Sequence, residues 1–399
     1  MAGLYIHIPF CLKRCIYCDF FSTTQLEVKD AYIAALLREM EIRSDIWRYE
    51  TFKTIYFGGG TPSLIQPHEL NTIIEAVYRY FSVSEHPEIT LEANPNDLTG
   101  NYITLLKKIP VNRISIGIQS FDDDELRLMS RRHTAKEAIE AITQCKEAGF
   151  DNISIDLMYG LPELSVGTHS EKRKKVSVSQ SQAVENWSHT LDKAIGFEVS
   201  HISAYHLTYE EDTPICRMMQ NKEIIPVEED MSESFFRLLI AKLTAAGFVH
   251  YEISNFARCS SGDPSGRISL HNASYWNGTH YLGLGASAHT YDGASRSWNV
   301  SSLEGYIRTI HENPDSVYET ELLDVRARYN DYIITRLRTM WGISLKELQR
   351  EFGKDMESYF IKKSKDLIQR KILQMQGDNV KISSEGLFIS DAIMRELIN

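Results

Sequence analysis

The chain has 399 residues, of which 43% are hydrophobic and 24% are charged, and its formal net charge is −11 at pH 7. This length predicts two domains, or one large barrel with an appendage. The composition is that of a chain that buries a sizeable core, and no stretch approaches the roughly 18 consecutive apolar residues of a membrane span. The negative charge disfavours nucleic acid as a partner, because phosphate binding needs a basic field.

The six cysteines divide into one cluster and three single residues. Cys11, Cys15 and Cys18 lie within eight residues of one another. The single cysteines, which we interpret as buried or incidental thiols, are Cys145, Cys216 and Cys259. A secreted disulfide framework is short and dense in cysteine, and the N-terminal sequence MAGLYIHIPFC lacks the pattern of a secretory signal. We therefore expect a cytoplasmic protein whose cysteine cluster binds a metal.

Short apolar, β-branched runs alternate with amphipathic stretches over the first 248 residues. The predicted strands are Leu4–Ile8, Thr54–Phe57, Glu88–Leu91, Arg113–Ile118, Asn152–Leu157 and His201–Tyr205. The clearest predicted helices are Lys29–Ile46, Pro67–Phe81, Asp123–Ala148, Ala183–Gly196 and Asp230–Ala246. Strand alternating with helix predicts parallel βα units. Six such units form a partial barrel or a doubly wound sheet, and we predict an α/β domain over residues 1–248.

Three further segments complete the predicted organisation. Residues 163–182 form a polar, Ser-rich insertion, which we interpret as a surface loop rather than a basic contact for an acidic partner or anionic lipid. Residues 249–319 have weak periodicity and are expected to connect two domains. Residues 320–399 are predicted to contain three helices (Tyr329–Thr339, Ser344–Phe352 and Met356–Gln369) followed by a hairpin, which is a winged-helix arrangement. A capping or docking role fits that domain better than DNA binding.

The cysteine cluster follows the first predicted strand with the spacing Cys11-x3-Cys15-x2-Cys18. Soft thiolates at short spacing suit zinc or an iron–sulfur cluster. A structural zinc site usually has four protein ligands, but the residue two positions after Cys18 is Phe20. Three thiolates leave one iron of a [4Fe–4S] cluster open for an exogenous ligand, and we predict that cluster here.

Polar residues and glycines follow the ends of the successive predicted strands. They are Gly58–Pro62, Glu92–Pro95, Gln119–Phe121, Asp156 and Tyr205–His206, with Arg131 on the stretch after the fourth strand. The βα barrels carry their functional sites at the carboxyl ends of the strands. The pattern therefore predicts one site along this rim, beside the cysteine cluster.

The motif CxxxCxxC after the first strand of a βα barrel resembles the radical S-adenosylmethionine (SAM) superfamily. The segments LYIHIPFCLKRCIYCDF, YFGGGTPS, EANPN, SIGIQSF and IDLMYGLP resemble its branch of HemN-type coproporphyrinogen III dehydrogenases and HemW-type heme chaperones. The resemblance covers nearly the whole chain. It implies a partial (β/α)6 radical SAM barrel with a C-terminal winged-helix-like HemN-type helical domain. It also implies that Cys11, Cys15 and Cys18 hold a [4Fe–4S] cluster whose open iron is chelated by S-adenosylmethionine. The positions that match contacts to S-adenosylmethionine are Tyr5, Gly59, Gly60, Thr61, Glu92, Gln119, Arg131 and Asp156.

Three features resemble the heme chaperones more than the dehydrogenases. The dehydrogenase motif is CxxxCxxCxC, whereas Phe20 replaces the last cysteine here, and the N-terminal extension of the dehydrogenases is missing. Residues 271–276 match the chaperone motif HNxxYW. This match implies heme contact, with His271 as an axial ligand and Tyr275 and Trp276 stacked on the macrocycle.

Other interpretations of the same residues remain open. His271 is equally typical of a hydrogen-bonded histidine beside aromatic core residues, and His206 and His289 are alternative iron ligands. Cys259 is close enough in sequence for a covalent heme link, although nothing else supports one. The segment GLGASA (residues 283–288) resembles a phosphate loop, but a close-packed turn is the better interpretation.

The predicted function is a heme chaperone that binds a [4Fe–4S] cluster, S-adenosylmethionine and heme. It passes heme to an acceptor protein such as a membrane respiratory enzyme, and any radical chemistry needs an electron donor. The alternative is oxygen-independent oxidative decarboxylation of coproporphyrinogen III, and a third hypothesis is radical SAM catalysis on an unrelated substrate. No catalytic residue is assigned, and the sequence leaves a monomer and a dimer open.

Overall fold

In a computed structural model of the chain, the described residues are 1–164, 180–259 and 266–399. Most of the predicted insertion 163–182 lies outside them. The strands are β1 (Ala2–Ile8), β2 (Thr51–Gly59), β3 (Ser82–Ala93), β4 (Arg113–Gln119), β5 (Ile153–Tyr159), β6 (Glu163–Leu164), β7 (His201–His206), β8 (Ile224–Ile225), β9 (Phe248–Glu252), β10 (Asn255–Arg258), β11 (His280–Leu284), β12 (His289–Tyr291), β13 (Ser295–Asn299), β14 (Tyr318–Leu322), β15 (Ile343–Ser344), β16 (Leu373–Gln376) and β17 (Asn379–Ile382). The helices are α1 (Lys29–Trp47), α2 (Pro67–Tyr80), α3 (Gly100–Leu106), α4 (Asp123–Leu128), α5 (Ala135–Glu147), α6 (Gln180–Gly196), α7 (Pro214–Gln220), α8 (Glu229–Ala245), α9 (Leu270–Trp276), α10 (Leu303–Glu312), α11 (Val325–Leu337), α12 (Leu345–Gln369) and α13 (Ser390–Leu397).

The barrel strands are β1, β2, β3, β4, β5 and β7, which are neighbours in that order and run parallel. Each contains one of the six predicted strands, apart from Asn152, which precedes β5. Alternate residues of these strands face opposite sides. In β4, Ile114 and Ile116 join the main apolar core, whereas the alternating residues Arg113 and Ser115 are buried polar residues of the barrel interior. The parallel strands and their connecting helices confirm the predicted α/β partial barrel.

The prediction of one helix over residues 123–148 is wrong. Helix α4 ends at Leu128, Ser130 takes a left-handed conformation with φ 59°, and α5 begins only at Ala135. Thr134 and Glu137 form a capping box, in which each side chain accepts a hydrogen bond from the backbone N–H of the other residue. This box starts a new helix and places the intervening segment, which includes Arg131, against the barrel.

The segment 249–319, which we expected to connect two domains, contributes strands to both edges of the barrel sheet. Strands β10 and β9 extend it antiparallel beyond β7. On the other side, β11 pairs parallel with β1, and β12, β13 and β14 follow antiparallel. Helix α9 lies between these two groups in the sequence. The periodicity is weak because these strands are short and carry polar residues, such as SRSWN in β13.

The C-terminal domain has an apolar core of its own, formed by α11, α12, α13 and the small sheet β15-β17-β16. Gly353, with φ 84°, divides α12 at the boundary between the two predicted helices. The domain contacts the barrel sheet where the Met340 N–H donates to the carbonyl of Tyr251 at 3.0 Å. Among the helices of the described ranges, none is long and apolar enough to cross a membrane.

Candidate functional site

The cysteine loop follows β1 and is closed by backbone hydrogen bonds. The Cys11 N–H donates to the carbonyl of Thr23 at 2.8 Å, and the Thr23 N–H donates to the carbonyl of Pro9 at 2.7 Å. Phe20 is 65% exposed on this loop. The closure keeps the three cysteines together beside the C-terminal rim, which we define as the edge where the barrel strands end.

Burial disfavours the ionised form of two cysteines of the loop, Cys11 and Cys18. Burial raises the pKa of Cys11, and it raises the pKa of Cys18 to about 11, with a further contribution from the neighbouring thiols. A cationic cluster offsets both effects. No three side chains of His, Cys, Asp or Glu converge on a single ion position within the described part of the chain. Three cysteines that each bind a different iron do not need to converge in that way.

The glycines after β2 are required by packing against β1 and the cysteine loop. A Cβ on Gly58 would lie 2.9 Å from the rings of Tyr5 and Tyr56, and one on Gly60 would lie 2.8 Å from the carbonyl oxygen of Phe10. Gly59 combines φ +111° with a Cβ position 2.5 Å from the ring of His7. The close approach brings Thr61 to the loop, where its hydroxyl donates to Cys11 Sγ at 3.5 Å.

Glu92 is a half-buried carboxylate on the interior face of β3. Burial raises its pKa to about 7; the hydroxyl of Tyr56, which donates to Oε1 at 2.7 Å, opposes this rise, whereas the charge of Asp156 adds to it. Asp156 on β5 accepts hydrogen bonds from Ser203 and from Ser115, the latter at 3.3 Å. Burial raises its pKa to about 6. The rim therefore holds two acids that ionise near neutral pH.

Gln119 and Arg131 lie together over Gly117 near the end of β4. A Cβ on Gly117 would meet Gln119 Nε2 at 3.0 Å and Arg131 Nη2 at 3.2 Å. Gln119 has φ 66° at an irregularity in the pairing with β5, and such strain is typical of functional sites. Arg131 donates to the carbonyl of Gly117 at 2.5 Å and to Cys15 Sγ at 3.4 Å, while its buried Nε has no partner among the described residues.

These residues fit a cluster with S-adenosylmethionine beside it. The unpaired Nε of Arg131 suits a carboxylate, and the acids Glu92 and Asp156 suit an ammonium group or ribose hydroxyls. Tyr5 lies beside them, because the position of a Cβ on Gly58 is 2.9 Å from the Tyr5 ring and 3.2 Å from Glu92 Oε1. Its hydroxyl hydrogen-bonds to Nδ1 of His7 at 3.0 Å. The structure thus brings the predicted residues together along the rim.

Three residues of the site were not among those predicted. Tyr17, inside the cysteine motif, hydrogen-bonds to Cys15 and Arg131. His7 binds the carbonyl of Phe21 through Nε2 at 2.9 Å, and burial lowers its pKa to about 4. The third is Arg113 in the barrel interior. The two-residue alternation along β1 and β4, applied to the interior face, would have indicated His7 and Arg113.

His206 and the glycine segment have local structural roles, whereas His289 is exposed. His206 Nε2 hydrogen-bonds to Ser232 at 2.9 Å, and His289 lies on β12, outside the barrel strands. In GLGASA, the Gly285 N–H donates to Glu39 at 2.8 Å. The Ala286 N–H donates to the hydroxyl of Tyr32 at 3.2 Å. These N–H groups are occupied, so the segment is a close-packed turn.

The HNxxYW motif forms α9, which closes the barrel at its N-terminal mouth, the edge where the strands begin. Glu88 at the interior of β3 accepts the N–H groups of Leu270 at 3.1 Å and His271 at 3.0 Å. The imidazole of His271 contacts Thr54 through Nδ1 at 2.8 Å and the hydroxyl of Tyr275 through Nε2 at 2.9 Å. The motif and the cysteine loop therefore lie at opposite ends of the barrel.

The predicted heme contact does not fit this conformation. His271 is 1% exposed, both of its ring nitrogens are hydrogen-bonded, and burial together with the charge of Arg113 lowers its pKa to about 3. An axial ligand needs a ring nitrogen with a free lone pair facing the iron. Trp276 differs, since its buried Nε1 has no hydrogen-bond partner in the described ranges.

Comparisons with known proteins agree with this geometry. A model of the radical SAM superfamily matches residues 5–169, and a model of the HemN C-terminal domain matches residues 323–389. The solved structure of coproporphyrinogen III oxidase (HemN) from Escherichia coli has a TM-score of 0.81 at 20% identity, covering 100% of this chain and 90% of that chain. Fold and family models together define a radical SAM protein with a HemN-type C-terminal domain.

Sequence relatives identify the family within that class. The heme chaperone HemW of Bacillus subtilis (strain 168) is 31% identical, over 98% of this chain and 98% of the relative. A mitochondrial radical S-adenosyl methionine domain-containing protein 1 from Mus musculus is 29% identical over 100% of this chain and 87% of its own length. The chain belongs to the HemW family of radical SAM proteins, and membership of the superfamily implies a [4Fe–4S] cluster and S-adenosylmethionine.

Proposed function

We propose that this chain is a heme chaperone that binds heme, a [4Fe–4S] cluster and S-adenosylmethionine and transfers heme to an acceptor protein. The similarity to a curated heme chaperone over 98% of both chains carries the proposal. The exposed Phe20 at the place of the fourth cysteine of the dehydrogenase motif supports the chaperone against the dehydrogenase.

The residues of the rim have distinct roles in this proposal. Cys11, Cys15 and Cys18 hold the cluster, and Arg131, which already contacts Cys15, pairs with the carboxylate of S-adenosylmethionine. Glu92 and Asp156 accept hydrogen bonds from its ammonium or ribose groups. When bound, the reduced cluster supplies one electron that cleaves the sulfonium of S-adenosylmethionine. The chain's own part is to orient that cofactor and exclude water from it.

The partners in this proposal are a heme acceptor, such as a membrane respiratory enzyme, and an electron donor when the cofactor is cleaved. All six cysteines are free thiols. A loop of free thiols that serves as a cluster ligand set suits the reducing cytoplasm, which is where we propose that the protein acts.

Heme contact by His271, Tyr275 and Trp276 remains a proposal that requires α9 to leave the N-terminal mouth. The substitution Thr54→Val removes the bond to His271 Nδ1 in the closed state, worth about 1 kcal/mol. Loss of this bond favours the state in which α9 has moved away and His271 is exposed. If His271 binds heme in that state, Thr54→Val strengthens heme binding about fivefold, and His271→Ala abolishes it. Heme affinities unchanged in both variants would place the heme elsewhere on the chain.

The test of the proposed function is a pair of assays on anaerobically reconstituted protein. We expect heme binding, followed by its absorption spectrum, and no conversion of coproporphyrinogen III to protoporphyrinogen. Cys15→Ser should lose the cluster and retain heme binding, while Cys259→Ser, a half-buried thiol outside the loop, should retain both. Protoporphyrinogen formation that depends on Cys15 would establish the dehydrogenase instead.

A further inference from the structure

Arg113 is a buried arginine whose side chain has no hydrogen-bond partner. It is the first residue of β4 and is 1% exposed. Within the described part of the chain, Nε, Nη1 and Nη2 all lack an acceptor. Arginines are almost never fully buried unless they are paired, because an unpaired buried charge is costly. An exception inside the barrel calls for a functional explanation.

The strand register places Arg113 close to both acids, because it lies two residues before Ser115, which pairs with Glu92 and donates to Asp156 at 3.3 Å. The titratable groups on which the charge of Arg113 acts are Tyr56 on β2, Glu92 on β3, Asp156 on β5, His201 on β7, Tyr251 on β9 and His271 on α9. The guanidinium therefore lies between the rim, where both acids are, and the N-terminal mouth, where both histidines are.

The two histidines are neutral and have no acceptor left for Arg113. His201 Nδ1 bonds to Ser154 at 2.7 Å and its Nε2 bonds to Tyr251 at 2.9 Å. His271 is bonded in the same way to Thr54 and Tyr275. The acids of the rim are the only anionic groups among those facing groups, so the charge of Arg113 acts on them across the barrel interior.

We propose that Arg113 is a positioning residue for S-adenosylmethionine: its fixed positive charge inside the barrel favours the carboxylate forms of Glu92 and Asp156, which bind the cofactor. This inference rests on the proposed function of the rim. Burial raises the pKa of both acids, to about 7 for Glu92 and about 6 for Asp156; hydrogen bonds from Tyr56 and Ser203 oppose the rise, and the charge of Arg113 adds to that opposition in each case. An effective dielectric well below that of water lets the charge act without direct contact.

The other groups around the acids do not replace Arg113. Tyr56, Ser115 and Ser203 donate hydrogen bonds but carry no charge. Arg131 also lowers the pKa of Asp156, but two of its nitrogens already donate to Gly117 and Cys15. The remaining neighbours of Glu92 are the phenols Tyr5, Tyr205 and Tyr275, which are neutral near pH 7.

The experiment measures S-adenosylmethionine affinity by calorimetry from pH 6 to 8, on anaerobically reconstituted protein. We expect Arg113→Gln to weaken binding about tenfold at pH 7 and to move the pH midpoint of binding up by about one unit. Arg113→Lys keeps the charge and should keep the midpoint. The matched control is Arg43→Gln, a second buried arginine that packs on Tyr318 away from the barrel interior and should bind like the wild type.

Several outcomes overturn the proposal. One is wild-type affinity in Arg113→Gln at every pH, and another is weaker binding with an unchanged midpoint, which indicates a structural role. If Arg113→Gln does not fold, Arg113→Lys provides the test. A shifted pH midpoint of binding in that variant, which keeps the positive charge, would also overturn the proposal. Should the wild type bind no S-adenosylmethionine, the proposed function fails. In that case, infrared titration of the carboxyl groups in cofactor-free protein tests the effect of Arg113 on Glu92 and Asp156 by itself. Equal titration midpoints in the wild type and Arg113→Gln would contradict that effect.

Discussion

The two ends of the barrel differ in how their ionisable side chains are paired. At the N-terminal mouth, Glu88 accepts two N–H groups of α9, and both ring nitrogens of His271 are bonded. At the C-terminal rim, Arg131 keeps an unpaired Nε and Gln119 is held at φ 66°. Paired groups are typical of structural closure, whereas unpaired donors and backbone strain are typical of a binding site. The comparison therefore supports the proposal that the cofactor binds at the rim.

The two ends are nevertheless linked through one tyrosine. The ring of Tyr56 stacks on His271 with centroids 4.8 Å apart, and its hydroxyl donates to Glu92 at 2.7 Å. The α9 helix therefore supports a residue that in turn supports a carboxylate of the rim. In this conformation, the motif that matches heme chaperones lies below the proposed S-adenosylmethionine site and contacts it through Tyr56. The predictions below alter each end in turn.

The largest effect is expected at the cysteine loop. Cys15→Ser removes one of three cluster ligands and the acceptor of the Arg131 hydrogen bond. We expect reconstituted protein to lose nearly all of its iron and its iron–sulfur absorption, because oxygen is a poor ligand for such a cluster. Iron analysis and visible spectra measure this, with Cys259→Ser as the control. A wild-type iron content in Cys15→Ser would remove this loop from the site.

Local sequence patterns predicted the strands of the barrel and the rim. The environment of His271 and the strands of residues 249–319 depend on tertiary contacts and could not be predicted in this way. Runs such as Arg113–Ile118 alternate with period two, and their carboxyl ends must meet at one edge in a parallel barrel. The environment of His271 depends on Thr54, which lies 217 positions away in the chain. No local pattern specifies such a contact. The strands of 249–319 were missed for a related reason, since pairing with the existing sheet edges defines them more than their own composition does.

A second prediction breaks the closure of the N-terminal mouth. Glu88→Gln replaces one carboxylate oxygen by an amide nitrogen that cannot accept an N–H group of α9. We expect a loss of about 1.5–3 kcal/mol in the free energy of unfolding, since this hydrogen bond is to a charged acceptor. Chemical denaturation measures it, and faster amide exchange in α9 should accompany it. Glu85→Gln, on the exposed part of the same strand, is the control. Equal stability of the two variants would contradict the closure.

A third prediction concerns the acids of the rim. In the proposal S-adenosylmethionine binds their charged forms, and the pKa is about 7 for Glu92 and about 6 for Asp156. Affinity should therefore approach its full value near pH 8 and fall as the pH drops through 7 and then 6, reaching about a hundredfold per unit once both acids protonate. The stability of the cofactor-free protein depends on pH in the opposite direction. Both folded-state pKa values lie above their ordinary values, so these acids contribute stability at low pH that is lost as the pH rises.

Calorimetry across this pH range checks the prediction. Glu92→Gln removes the upper ionisation and should leave only the dependence near pH 6 that belongs to Asp156. A flat affinity between pH 6 and 8 in the wild type would show that neither carboxylate is needed in its charged form.

The smallest effect is expected for the residue that links the two ends. Tyr56→Phe keeps the ring that stacks on His271 and removes the hydrogen bond to Glu92. One such bond to a charged group is worth about 1.5 kcal/mol, so S-adenosylmethionine should bind about sevenfold more weakly at pH 7 and recover at higher pH. The recovery follows because the hydroxyl lowers the pKa of Glu92, and its loss raises that pKa further. The matched control is Tyr306→Phe, which removes a tyrosine hydroxyl that donates to the buried Glu39 at 2.6 Å, far from the rim. Equal affinities in both variants at pH 7 would mean that Tyr56 supports the barrel interior without supporting the cofactor site.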